Sequence, residues 1–380
     1  MDGVGITPII RQALGRTARL GDLYDARTDT FVSTSIFTRL LPTDSPAITI
    51  LENHHSSIDY SESDSFKKKF SNLGIDLQLK LSILAGFLTP GGSAEYPTER
   101  KESSKSVERA HRYDITTVTE QLNLECQQIE GMIKTPRMLD STDATHVVVR
   151  IDWGAKCFVS VTDHNHENDE KTKIGEKISA KLEKLKSVGG TACAEFEKEE
   201  KDNWNKLSVK IFGDVVLDGS DLCPTTVDDA VKLIRKLPKL VQKSYGGKGK
   251  PVTFHMLPLP QNGAARFNKV DDGAALKVSR LFSRIDELNQ RAYDFISENR
   301  EAVQRCDEIV TEITYMEQEL RVAIKQCVID IRSGNSQSEP LTVICDEWKI
   351  KVDEAYESLD KMSRQKNSIR HKMSSVCLLM

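Results

Sequence analysis

The texture of the chain changes near residue 266, and no other feature constrains its fold as strongly. Before that point β-branched runs alternate with turn residues, and most of the glycines and prolines are found there. Beyond it, charged segments with helical periodicity take over and both residues become rare. Short β-branched runs between turns favour strands, whereas apolar residues recurring every three or four positions favour helices. The stretch 244–251 (SYGGKGKP) reads as a flexible loop, and Pro258, Pro260 and Gly263 punctuate the junction. A length of 380 residues suits about two domains. A mixed unit over 1–265 and a helical unit over 266–380 are therefore expected.

Three apolar stripes mark the second unit. Val278, Leu281, Phe282, Ile285, Leu288, Ala292 and Phe295 form the first. Val303, Cys306, Val310, Ile313, Leu320, Ile324, Cys327 and Ile331 form the second, ended by Gly334. Ser338 and Pro340 open a third, where Leu341, Cys345, Trp348, Val352, Ala355, Leu359 and Met362 keep a 4-3 spacing. An antiparallel bundle buries such seams within one chain, and a coiled coil buries them between chains.

In the first unit the strand candidates are 112–122, 145–161 with Gly154 as a bulge or bend, and 206–217 with a break at Gly213. Between the last two, 167–205 is charged and helical by composition, and Gly189 and Gly190 divide it. Strands separated by long helical inserts, without the glycines of a dinucleotide fold, indicate an α+β class. The expectation is an antiparallel sheet with helices gathered beside it, followed by an all-α bundle.

Composition narrows the function classes. The chain is 38% hydrophobic and 29% charged, as a globular protein is. A net charge of -4 gives no basic surface for nucleic acid. No run reaches the roughly 20 apolar residues of a spanning helix. The first residues do not read as a leader and no Asn-x-Ser/Thr acceptor occurs, so a cytoplasmic residence is expected, with release by another route left open. The eight cysteines are scattered without a Cys-x-x-Cys pair, which favours reduced, buried thiols over zinc or redox chemistry. His164 and His166, beside Asp163 and Glu167, read either as metal ligands or as a solvated polar connection. The run GGKGK at 246–250 lacks phosphate-loop spacing, and no nucleophile elbow or zinc-peptidase helix is present. No enzyme activity, cofactor or metal is expected.

Several ordered blocks carry a family likeness. They are Ala13-Leu-Gly-Arg16 with Leu20-Gly-Asp-Leu-Tyr-Asp-Ala-Arg27, then Leu84-Ala-Gly-Phe-Leu88 leading into Gly91-Gly92-Ser-Ala-Glu-Tyr96. Thr116-Thr-Val118, Ala144-Thr145-His146-Val-Val148 with Trp153-Gly154, Phe212-Gly213-Asp214 and Pro224-Thr-Thr-Val-Asp-Asp-Ala-Val231 follow. From about residue 13 to about 260, the chain resembles the stonustoxin family of the perforin/cholesterol-dependent-cytolysin superfamily. Thr145-His146 looks like a reduced form of the perforin signature. The helices beyond 266 resemble the focal-adhesion-targeting-like bundle of that family. The resemblance implies a bent antiparallel sheet flanked by two helical clusters. Gly91, Gly92, Thr145, His146, Gly154, Gly189, Gly190 and Gly213 would be its hinge or signature positions. It also implies self-association or pairing with a related subunit at a lipid membrane, with the clusters refolding into inserted β-hairpins.

One pattern supports insertion independently of the likeness. Within 75–87 every odd position is apolar (Ile75, Leu77, Leu79, Leu81, Ile83, Ala85 and Phe87), and of the even ones only Leu84 is strongly so. That alternation gives a strand one lipid face and one wet face over about a spanning length. Val188, Ala192, Ala194 and Phe196 alternate more weakly in the second cluster. Either run also reads as an ordinary buried segment. The second cluster is rich in Lys and Glu, which are costly against lipid. A non-lytic intracellular scaffold or defence component that keeps the cytolysin fold is therefore the alternative function. Finally, Cys377-Leu-Leu-Met380 fits a prenylation signal with Arg364, Lys366, Arg370 and Lys372 upstream, an anchor to a membrane surface; a buried thiol is the other reading.

Overall fold

The computed structural model describes residues 8–61, 74–88, 103, 105–140, 143–163, 170–186, 207–214, 226–259, 267–297 and 303–377. Its strands are β1 (Ile9–Gln12), β2 (Asp22–Asp25), β3 (Thr30–Ser35), β4 (Ile48–Ser61), β5 (Val107–Leu122), β6 (His146–Asp163), β7 (Ser208–Asp214) and β8 (Lys250–Pro258). They form an 8-stranded sheet in which every pairing is antiparallel.

β6 organises the sheet because its 18 residues take different partners along their length. Its first half, to Gly154, pairs with β8, and its second half, from Lys156, pairs with β7. The opposite edge takes β2 at the start and β5 beyond it. β8 then carries β1, β2 carries β3, and β5 carries the long β4. The change of partner falls at Gly154, where a Cβ would lie 1.8 Å from the Ile115 carbonyl oxygen. A Cβ on Gly213 would lie 1.9 Å from the carbonyl oxygen of Lys156. Only glycine lets two backbones approach that closely.

The strands expected at 112–122, 145–161 and 206–217 are found as β5, β6 and β7, with 206 and 215–217 lying outside the described residues. The loop expected over 244–251 is shorter than its composition suggested. After a 3-10 turn at Tyr245–Gly247, Lys250 and Pro251 already pair with Gly154 and Trp153. A proline is tolerated near the start of a strand, where it removes a single ladder donor.

The helices are α1 (Leu77–Leu84), α2 (Pro136–Asp140), α3 (Lys171–Lys186), α4 (Val227–Lys243), α5 (Asp272–Ser297), α6 (Val303–Arg332) and α7 (Glu339–Cys377). Thr226 caps α4 by accepting the Asp229 amide. The Leu233, Leu237, Leu240 and Val241 face of α4 is buried beside Ile174 and Ile178 of α3 and against β5–β7. A second core fills the other half of the sheet around Leu23, Tyr24, Val148, Ile151 and Phe254. Burial pushes the Cys157 thiol up to about 12 and that of Cys345 up to about 11; both are free and buried.

The three stripes of the second unit bury one another within the chain, Val303 and Cys306 excepted, whose side chains lie outside the described residues. α5 and α7 run in the same direction, because Lys277–Asp346, Arg284–Asp353 and Arg291–Asp360 pair at seven-residue intervals on both helices. Such exposed pairs contribute about 0–1 kcal/mol each, so they mark register while the apolar seam supplies the stability. α6 runs the opposite way and packs on both, and its Arg332 carbonyl accepts the Asn268 amide just ahead of α5. This core does not stop at the junction near 265: it also takes in Leu81 and Leu84 of α1 and the next residue, Ala85.

Candidate functional site

The segment 75–87 is where the apolar alternation lies, and its central residues 77–84 fold here as α1. Asp76 starts the helix with extended backbone, and its carboxylate accepts the Leu79 amide at 2.7 Å. A sequence that alternates as a strand proves to have two helical faces as well. Ile75, Leu79 and Ile83 pack on Leu14 and on Phe158 of β6. Leu81, Leu84 and Ala85 turn the other way, into the bundle beside Val278, Leu281 and Phe282. Leu77 and Phe87 are half-buried at the rim of that core. Held between two surfaces, the helix buries its even positions too: Gln78 and Lys80 are 5% exposed and Ser82 is 0% exposed.

Two buried polar groups of α1, the Gln78 carbonyl and the Ser82 hydroxyl, are bonded to a charged cluster. Asp29, in the turn between β2 and β3, has a positive φ of 54°, a conformation that aspartate tolerates better than most residues. Its carboxylate accepts from Arg11 Nε at 2.7 Å, Tyr24 Oη at 2.6 Å, Arg332 at 3.2 Å and the Ser82 hydroxyl. Arg332, the last residue of α6, also donates to Ser82 Oγ at 2.8 Å, the Arg27 carbonyl at 3.1 Å and the Gln78 carbonyl at 2.9 Å. Arg11 reaches Asp76 at 3.0 Å. Burial alone would raise the Asp29 carboxyl, but the two guanidiniums and the bonds from Ser82 and Tyr24 hold it well below the usual carboxylate range. Burial pushes the Tyr24 phenol up and the neighbouring carboxylate raises it further, so it stays a donor.

Thr145 and His146 lie elsewhere, in the core where β2 meets β6. The Thr145 hydroxyl accepts the Ala26 amide at 2.8 Å and lies 2.8 Å from His146 Nδ1, while the His146 ring stands edge-on to Phe267 at 5.8 Å. Gly154 and Gly213 are the close-approach points of the sheet already described. Gly91, Gly92, Val188, Gly189, Gly190, Ala192, Ala194 and Phe196 lie outside the described residues, as do His164 and His166. Cys377 is the last residue of α7. Sequence reasoning missed Arg11, Asp29, Ser82 and Arg332. Asp29 sits in a polar turn and Arg332 at a helix end, where a cation ordinarily faces water and the helix dipole.

Among the described residues no helix is long and apolar enough to cross a membrane. A stonustoxin structure superposes with a TM-score of 0.70 at 22% identity, covering 97% of this chain and 50% of that one, a likeness of fold. Cytolytic toxin-alpha from Scorpaena plumieri is 29% identical over 297 residues, which is 77% of this chain and 41% of the toxin. Neoverrucotoxin subunit beta from Synanceia verrucosa is 30% identical over 66% of this chain and 35% of its own length. For stonustoxin subunit alpha from Synanceia horrida the figures are 28%, 74% and 39%. The chain thus spans about two-fifths of the length of these relatives. The model of the SNTX, MACPF/CDC-like domain matches residues 8–279, well over half of the sequence, and the chain belongs to that family.

Proposed function

We propose that this protein is pore-forming-like: it self-associates or pairs with a related subunit at a lipid membrane and inserts β-hairpins. The first hairpin would include 75–87, and the second would include Val188, Ala192, Ala194 and Phe196. Gly91, Gly92, Gly154, Gly189, Gly190 and Gly213 would serve as hinge positions, and the chain would divide into a cytolysin-like unit over 1–265 and a bundle over 266–380. The observation that carries the reading is a lipid-strand pattern stored as a short buried helix, Leu77–Leu84. Family membership supports it, as do relatives named as cytolytic toxins and as alpha and beta subunits. A cytoplasmic residence gains no support from those relatives.

The test is dye release from liposomes, with an environment-sensitive dye placed in turn at positions 77 and 87. Both sites are half-buried at the rim, so they accept a label with less disturbance than buried Leu79 or Lys80. Release with brightening at both positions is expected, and Leu77→Arg should slow release about tenfold, since a lipid-facing arginine costs about 2–4 kcal/mol at the bilayer centre and less towards the interface, where position 77 would lie. No release from neutral, anionic or sterol-containing vesicles would favour the non-lytic scaffold instead.

A further inference from the structure

The bundle does more than follow the sheet in sequence; it grips α1 at both ends. Near the start of α1, Arg332 donates to the Gln78 carbonyl and to Ser82, and joins Asp29 beneath them. At the other end Arg321, also on α6, donates to the carbonyls of Leu84 at 2.7 Å and Ile83 at 3.2 Å. The last carbonyls of a helix have no intrahelical donor, and a cation there also offsets the negative end of the helix dipole. Arg321 is itself held by Glu317 at 2.7 Å and lies 5.0 Å from the Phe282 ring centre. Between the two arginines, the Gln78 amide pairs with both backbone groups of Val270, donating at 2.9 Å and accepting at 3.3 Å.

These bonds are specific to the helical state of 77–84. In an extended strand the Gln78 and Leu84 carbonyls would move from about 9 Å to about 20 Å apart, and the neighbouring Ile83 and Leu84 carbonyls would point to opposite edges, so Arg321 could not hold both. Arg332 is 0% exposed and its Nε has no hydrogen-bond partner among the described residues, an unfavourable place for a cation whose service is only to stability. We propose that α6 is a clasp, closed by Arg321 and Arg332, which holds 77–84 helical and must open before that segment can extend. The clasp deepens the insertion reading and rests on it for its purpose, but its action is measurable in solution without lipid.

Amide hydrogen exchange on the full chain, followed by mass spectrometry, tests it with Arg332→Met, Arg321→Met and Arg321→Lys. Arg332→Met leaves Asp29 paired with Arg11, and Arg321 is partly exposed, so at least the Arg321 variants should fold. Exchange in 77–84 should rise at least tenfold in both Met variants and fall back part of the way in Arg321→Lys, while β6 and α7 keep wild-type protection. Unchanged exchange in 77–84, or a rise shared equally by β6, would overturn the clasp. A chain that shows the selective rise yet never releases liposome contents would retain the clasp and lose the pore.

Discussion

At Asp29, burial would by itself favour the neutral acid, yet Arg11 and Arg332, with bonds from Ser82 and Tyr24, keep the carboxyl well below its ordinary 3.8. A lowered folded value has a definite consequence for pH dependence. The carboxylate stabilises the fold at every pH above the unfolded value, and that contribution disappears only as pH falls through the lower folded value. The stability gap between wild type and Asp29→Asn, read from urea midpoints, should therefore be constant from about pH 7 to about pH 5 and shrink below about pH 4. Its size should be about 3–5 kcal/mol, because the substitution strands two buried guanidiniums. A gap that does not shrink below about pH 4 would mean that the folded carboxyl titrates as an ordinary carboxylate. Mild acid is accordingly not expected to release α1.

For single elements, the informative cases are β6 and α1. β6 could be read from its β-branched residues, and Gly154 was legible as an interruption within it. That the interruption marks a change of neighbour from β8 to β7 depends on which strands arrive there. Because an added methyl group would lie 1.8 Å from the Ile115 carbonyl oxygen, Gly154→Ala should cost about 3 kcal/mol by forcing two backbones apart. Gly131→Ala, where nothing lies within 4 Å, should change stability by no more than about 0.5 kcal/mol. Equal thermal shifts in the two variants would contradict that account of the close approach at Gly154. α1 shows why alternation alone is ambiguous. Its residues satisfy a period of two and also place Leu79 and Ile83 on one helical face, with Leu81, Leu84 and Ala85 on another.

In the molecule as a whole, sheet and bundle share contacts that separate units would lack. α1 contributes to the bundle core, Arg332 is bonded to Asp29, and His146 of β6 packs edge-on against Phe267 ahead of α5. Burial of this kind makes the two halves unfold together, so calorimetry should give one heat-absorption peak with matching calorimetric and van't Hoff enthalpies. Two resolved peaks would show that the shared helix and the Arg332 bonds do not couple them. The same coupling explains why the restraint on α1 was not visible from the first half alone, since both arginines lie on α6, beyond residue 300.

The residue pattern by itself determined the class of fold: β-branched runs specify strands, and three stripes at helical spacing specify a bundle whose seams must be buried. It also determined the apolar alternation of 75–87 and the glycine interruptions, because these are properties of neighbours along the chain. Which state that segment occupies, and what holds it there, only the tertiary structure decided. The physical reason is that a short apolar run is compatible with strand or helix, and the choice falls to the surfaces that bury it. Here those surfaces come from Leu14, Phe158 and the bundle, while the charge that fastens them comes from Arg11, Asp29 and Arg332, far apart in sequence and each locally indistinguishable from a solvated polar residue.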